Sequence, residues 1–202
     1  MDTREIVKAQ LMDGADLDRT LNRMARQIAE YLEPEADGGA MALVGMQTRG
    51  VHLARRLQSK IAEVEGVTLP LGVLDTTLYR DDYRTRTSYP EVRITDVPFD
   101  ITSRHVVLVD DVLYTGRTLR AALDALLDLG RPASVQFLVL IDRGHREFPV
   151  CADLVGRRVP TTPGEVVRVK MTEQDDKDGV WLIGTASAET ETNDQLSDGT
   201  IG

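Results

Sequence analysis

The feature that most constrains this chain is an apolar run that ends in two adjacent carboxylates and then in a Thr/Gly loop: residues His105 to Thr118 read HVVLVDDVLYTGRT. Val106 to Val109 is the β-branched, polar-free pattern of a strand buried on both faces of a parallel sheet. Open α/β sheets place their ligands beyond the carboxyl ends of such strands, which is where Asp110 and Asp111 fall. From Thr115 the pattern turns helical. Leu119, Ala122, Leu123, Leu126 and Leu127 recur at helical spacing, and Gly130 and Pro132 supply the stop. A helix entered through Tyr114, Thr115 and Gly116 aims the N–H groups of Gly116, Arg117 and Thr118 at one spot. There the helix dipole and the Thr115 and Thr118 hydroxyls suit a phosphate dianion. Two carboxylates beside that spot repel phosphate, but they suit sugar hydroxyls or a hydrated Mg²⁺. Phosphate on the loop and hydroxyls on the acids together make a ribose-5-phosphate clamp. A phosphorelay receiver also pairs acids after a strand, but near its chain start, whereas this pair stands mid-chain.

With 202 residues and 42% hydrophobic content, the chain suits one α/β core better than two. A single cysteine, Cys151, excludes an internal disulfide and has no clustered ligands around it for a metal. Met1 to Glu5 has no apolar segment behind it and no run of about 18 apolar residues occurs, so neither a secretion signal nor a membrane span is expected and a cytoplasmic location is.

The rest of the chain alternates. Leu17, Leu21, Met24, Ala25, Ile28 and Leu32 make a helical stripe, with Asp16 as the expected N-cap and Pro34 as the stop. Met41 to Met46 predicts a buried strand, Val51 to Val64 a helix and Val67 to Leu74 the next strand. Residues 77–100, with two prolines and little periodicity, predict a long functional loop. Val135 to Ile141 is a strand, and two short apolar runs follow at Val166 to Val169 and Val180 to Ile183. Strands alternating with helices predict a mostly parallel central sheet flanked by helices, with the irregular segment 142–165 folded over the strand ends as a small hood. The domain is expected to span 1–184, and the polar composition of 185–202 predicts a disordered tail.

Residues 106–118 resemble the phosphoribosyl-pyrophosphate (PRPP) motif of type I phosphoribosyltransferases, in the form found in the PyrR family. Thr48-Arg49-Gly50, Thr77 to Asp82, Gly130-Arg131-Pro132 and Asp142 to Glu147 resemble the same family in the same order, so the likeness covers about 15–184. It implies a type I phosphoribosyltransferase fold with a hood and a flexible lid. It also implies transfer of a ribosyl-5-phosphate group to uracil, giving UMP and pyrophosphate in pyrimidine salvage, with Mg²⁺ accompanying PRPP. Members of the family also regulate pyrimidine genes by attenuation, through UMP-dependent binding to leader mRNA. A homodimer or higher homo-oligomer is part of the expectation. A regulator with vestigial catalysis and a transferase for another base are the alternatives.

The resemblance distributes roles. Thr48, Arg49 and Gly50 become the pyrophosphate loop, with the Arg49 fork facing phosphate oxygens. Asp110 and Asp111 hold ribose and any Mg²⁺, and Tyr114, Thr115, Gly116, Arg117 and Thr118 hold the 5′-phosphate. The lid carries Tyr79, Arg80, Asp81 and Asp82 at its base and Arg84 and Arg86 near its tip; closing it would bring cations to the leaving group. With Asp110, Asp111 and Arg49, Arg80 completes the catalytic set. Backbone groups of Ile141, Asp142 and Arg143 would meet the polar edge of uracil, while His145 has a structural place in the hood. Tyr114 stands where purine enzymes of this superfamily carry an acid, and a phenol is a poor base at neutral pH, so no general base is identified.

RNA recognition and composition pull apart. The formal net charge is -9, yet only a local patch meets RNA. Arg19, Arg23 and Arg26 share a face of the first helix, and Arg143, Arg146, Arg157 and Arg158 cluster in the expected hood; these are the candidate RNA contacts.

Overall fold

Parallel pairing of β-branched runs organises the centre of the molecule. The computed structural model describes residues 4–32, 41–80 and 94–186. In chain order these form β1 (Arg4–Met12), α1 (Gly14–Ala29), β2 (Met41–Met46), α2 (Arg49–Glu65), β3 (Leu71–Leu74), a 3₁₀ turn (Thr77–Tyr79), β4 (His105–Leu113), α3 (Arg117–Leu127), β5 (Ser134–Asp142), β6 (Leu154–Arg158), β7 (Val166–Lys170) and β8 (Gly179–Ala186). Five strands make an all-parallel sheet in the order β3-β2-β4-β5-β6, with the clamp strand β4 at its centre. All six residues of β2 are buried, as a two-sided strand requires. One face packs on α1 and α2 through Leu17, Leu21, Leu53 and Leu57, and the other on α3 through Leu119, Ala122 and Leu126. Among the described residues no helix is long and apolar enough to cross a membrane.

The second sheet is where expectation and structure part. Strands β1, β8 and β7 pair antiparallel in that order and form the hood. The segment 142–165 does not. It contributes β6, which pairs parallel to β5 at the edge of the core sheet, with Leu138 opposite Leu154 and Asp142 opposite Arg158. Only Leu154 of β6 is fully buried, so its sequence carries too short an apolar signal to be read as a core strand. Strand β1 was not expected at all, since its partner β8 lies at the far end of the chain and its residues Glu5 to Gln10 are all exposed. The tail boundary shifts as well: Thr185 and Ala186 are the last residues of β8, paired with Glu5 and Arg4. Residues 187–202, the remainder of the expected tail, lie outside the described residues.

Smaller differences have local causes. The N-cap of α1 is Asp13, whose Oδ1 accepts from Asp16 N–H at 2.7 Å while Asp16 returns the bond to Asp13 N–H, so Asp16 is the third-position partner of a capping box. Helix α1 ends at Ala29; Pro34 lies outside the described residues. Strand β3 begins at Leu71 rather than Val67, because Pro70 has no N–H for the ladder and offers only its carbonyl to Leu43. Helix α3 ends at Leu127 with Asp128 as C-cap, ahead of Gly130 and Pro132.

Candidate functional site

Strand β4, turn 114–116 and helix α3 bring the clamp together. Asp110 and Asp111 sit at the carboxyl end of β4, and the strand continues past them to Leu113. Asp110 Oδ1 accepts the Asp111 N–H and Asp111 Oδ1 the Val112 N–H, both at 2.9 Å, which fixes the carboxylates against their own backbone. Burial pushes Asp110 well above the ordinary carboxylate range, the neighbouring Asp111 charge pushes it further, and Arg80 opposes. Burial raises Asp111 too, against the Asp110 hydrogen bond and the Arg49 charge. Each acid is thus faced by one of the arginines assigned to the leaving group.

Gly116 begins α3 in the left-handed region, φ 91°, and a Cβ there would lie 2.5 Å from the Val150 side chain. Gly116 has no side chain to cap the helix, and the Arg117 N–H makes only a long 3.4 Å bond to Thr115 Oγ1, so this helix start can turn its N–H groups to an anion. The Thr115 carbonyl accepts from Glu147 and Phe148 N–H at 2.9 and 3.1 Å, pinning the turn under segment 143–150. The Arg117 side chain pairs with Glu147 at 2.6 Å and lies over the Phe148 ring.

A cavity of about 250 Å³ opens here, lined by Arg80, Asp110, Thr115, Gly116, Thr118 and Arg143 among others, with Val166 and Val167 of the hood closing one side. At the root of the lid, Tyr79 Oη donates to Asp128 at 2.7 Å and Arg80 Nη1 donates to Thr118 Oγ1 at 2.7 Å, so Arg80 reaches over the phosphate turn. Asp81, Asp82, Arg84 and Arg86 lie outside the described residues.

The base contacts differ in kind from the expectation. Ile141 is wholly buried and lies in the sheet between Val112 and Arg157, and Arg143 N–H donates to the Leu113 carbonyl at 3.1 Å. The Asp142 carbonyl accepts from Val159 N–H at 2.8 Å and the Arg143 carbonyl from Thr161 Oγ1 at 3.3 Å, while Asp142 Oδ1 accepts from Gly144 N–H and Arg146 Nη2. These backbone groups are engaged, and what faces the cavity is the Arg143 side chain. It is 6% exposed and stacked 4.0 Å over the Tyr114 ring, with Nε on Thr161 Oγ1 and Nη2 on the Glu165 carbonyl. His145 takes a left-handed backbone, φ 58°, and its Nε2 lies 2.6 Å from the Thr161 carbonyl, a structural bond.

At the end of β2, Gln47 and Thr48 lead into α2, whose first residues are Arg49 and Gly50; the Gln47–Thr48 peptide is cis. Arg49 Nη2 reaches both Asp175 oxygens at 3.2 Å. Asp175, in the connection between β7 and β8, escaped sequence reasoning because nothing in the chain order links it to Arg49.

The candidate RNA arginines separate into two places. Arg19, Arg23 and Arg157 line a groove of about 370 Å³ between α1 and β6, with Arg23 Nη2 donating to the Gly156 carbonyl at 2.6 Å, and Arg26 is exposed farther along α1. Arg143 and Arg146 belong instead to the clamp side, where Arg146 Nη1 donates to the Tyr114 carbonyl at 2.7 Å. Among the described residues no group of three or more His, Cys, Asp or Glu side chains could hold a metal ion unaided.

Comparison with known proteins places this geometry. The family model described as the phosphoribosyl transferase domain matches residues 9–174. The bifunctional protein PyrR of Thermus thermophilus is 54% identical over 177 residues, 87% of this chain and 95% of that protein. The PyrR of Pelotomaculum thermopropionicum is 51% identical over 179 residues, covering 89% and 97%. In fold, a hypoxanthine-guanine phosphoribosyltransferase from Bacillus anthracis superposes with a TM-score of 0.66 at 19% identity, covering 89% of this chain and 99% of that one. A hypoxanthine phosphoribosyltransferase from Trypanosoma cruzi gives 0.66 at 20%, covering 87% and 95%. A strand-end acid pair beside an uncapped helix start, in a chain half identical to these relatives over nearly their whole length, belongs to the PyrR family of phosphoribosyltransferases.

Proposed function

We propose that this protein transfers the ribosyl-5-phosphate group of PRPP to uracil, forming UMP and pyrophosphate. The observation that carries the reading is the pairing of buried Asp110, with half-buried Asp111 next to it, with an uncapped helix start at one cavity, since ribose hydroxyls and a 5′-phosphate need those opposite chemistries side by side. Asp110 and Asp111 accept from the ribose hydroxyls. The turn at Thr115, Gly116 and Thr118 takes the 5′-phosphate. Arg49 and Arg80 face the negative charge that grows on the departing pyrophosphate as the ribosyl carbon becomes oxocarbenium-like. Val166 and Val167 keep water from that carbon. Arg143, a buried cation whose pKa burial pulls down, meets the carbonyl edge of the base.

Mg²⁺ fits the acid pair, because a divalent cation would offset the burial that raises both carboxyls and the Asp111 charge that raises Asp110 further; bound with PRPP, it would neutralise pyrophosphate charge. Two carboxylates are only part of a coordination shell, so the remaining ligands would be substrate oxygens and water. Parallel turnover assays with uracil, hypoxanthine, guanine and orotate test the assignment. Uracil is expected to be the preferred base, and turnover of a purine or orotate without uracil would overturn it.

The groove between α1 and β6 favours a second role, UMP-dependent binding to a pyrimidine leader mRNA, since three arginines line it on a molecule of net charge -9. Phosphate-dominated binding there is steeply salt-dependent. Arg19→Glu with Arg26→Glu is expected to abolish binding to a leader hairpin at low salt while uracil turnover persists. Equal affinity for the hairpin and an unrelated RNA in the parent protein would remove this role.

A further inference from the structure

Two arginines of α2, two turns apart on one face, hold the 171–178 connection of the hood in contrasting ways. Arg56 is saturated. Its Nε and Nη2 donate to Glu173 at 2.8 and 2.7 Å, its Nη1 and Nη2 to Asp178 at 2.8 and 2.9 Å, and its Nη2 also to Thr172 Oγ1 at 3.0 Å. These bonds to Arg56 are the main reason both acids lie below the ordinary carboxylate range.

Arg49 is held by one nitrogen. Its Nη2 is shared between the two Asp175 oxygens at 3.2 Å, long for a charge-assisted pair, and its Nε–H is buried with no acceptor among the described residues. Asp175 itself is fixed, because its Oδ2 accepts the Met171 N–H at 3.0 Å. A guanidinium with one shared bond and one orphaned donor rests in a pose that an anion can better, whereas two pyrophosphate oxygens offer the bidentate acceptor this fork fits. The same guanidinium is close enough to Asp111 to lower its pKa, so it stands between the hood and the ribose acids.

We propose that Asp175 is a latch on Arg49: in the free protein it holds the guanidinium, and the pyrophosphate group of PRPP takes it over, while the Arg56 clasp keeps the connection docked. The proposal rests on residues 48–50 being the pyrophosphate loop. Asp175 then competes with substrate and product for the same cation. Arg49 engages the leaving group only when a pyrophosphate is present.

Calorimetric titration of magnesium pyrophosphate into the parent protein and into Asp175→Asn tests this. The amide keeps an acceptor for Met171 N–H and removes the competing charge, so the variant is expected to bind pyrophosphate about 2–5-fold more tightly, the scale of a part-exposed ion pair. Product inhibition by pyrophosphate should strengthen in parallel. Unchanged or weaker binding by the folded variant overturns the latch, weaker binding meaning that Asp175 positions Arg49 instead. If Asp175→Asn melts far below the parent, Asp175→Ser, which keeps a short acceptor, is read by the same criterion. Absence of pyrophosphate binding in the parent removes the site reading and the latch together, so the two failures are distinguishable.

Discussion

Replacing Asp110 and Asp111 together by asparagine is expected to cut PRPP turnover by roughly 10²- to 10⁴-fold and at the same time to raise the melting temperature at neutral pH. The loss follows from two charge-assisted contacts to ribose, each worth about 1.5–3 kcal/mol, at about 1.36 kcal/mol per tenfold in rate. The gain follows from burial. Both carboxyls have folded-state pKa values above their ordinary ones, so between the ordinary value and the raised one the folded protein binds more protons than the unfolded chain. Stability therefore falls as pH rises through that window, and the parent carries the cost in full above it. Asparagines carry none, so the variant's advantage should be a few degrees at pH 7–8 and vanish near pH 4, on a scale where about 1 kcal/mol moves a chain of this size by 2–4 °C. Melting curves without Mg²⁺ across pH, alongside a turnover assay, check both halves. Parental turnover in the folded variant would remove the clamp. A lower melting temperature at neutral pH would mean that the acids contribute net stability.

Gly50→Ala separates two accounts of one glycine. If Gly50 served pyrophosphate only through its backbone N–H, alanine would keep that donor and cost little. In the structure a Cβ at Gly50 would lie 2.3 Å from the Val109 carbonyl oxygen and 3.2 Å from Asp110 Cα, backbone of the central strand. Gly45 is similarly tight, with a built Cβ 2.5 Å from Val51 Cα. The start of α2 is therefore pressed onto β2 and β4, and alanine must push it away, carrying Thr48 and Arg49 along. Overpacking of this kind costs about 1–3 kcal/mol, and a shift of about 1 Å in a positioning group costs about 10²-fold in rate. A drop of several degrees with a roughly 10²-fold fall in kcat/KM for PRPP is expected. A variant with parental stability and activity would contradict the contact.

The regions that could be read from the chain share one property: their signal is local. The β4-turn-α3 unit carries its strand, acids, turn and amphipathic stripe within residues 105–127, and the structure places all of them together. The stripe from Leu17 to Ile28 is likewise buried as a face of α1. Errors gathered where partners are distant or a strand's own pattern is weak. Strand β6 buries only Leu154 fully, so segment 142–165 passed for a hood. The true hood needs residues 4–12 to meet 179–186 across nearly the whole chain. The expected uracil contacts show the same limit. Motif order located Ile141, Asp142 and Arg143, but whether backbone or side chain meets the cavity depends on neighbouring strands that occupy the backbone first.

Sequence alone determined the α/β class, the family and the strand-acids-turn-helix unit on which the proposed ribose-phosphate clamp rests, because hydrophobic periodicity and a short motif are encoded residue by residue along one stretch. Only tertiary structure decided which strands form the hood, that Arg80 reaches Thr118, that Arg143 stacks on Tyr114, and that Asp175 holds Arg49. Each of these is a contact between segments far apart in the chain. The free energy of such a contact depends on geometry created by the packing of everything between them.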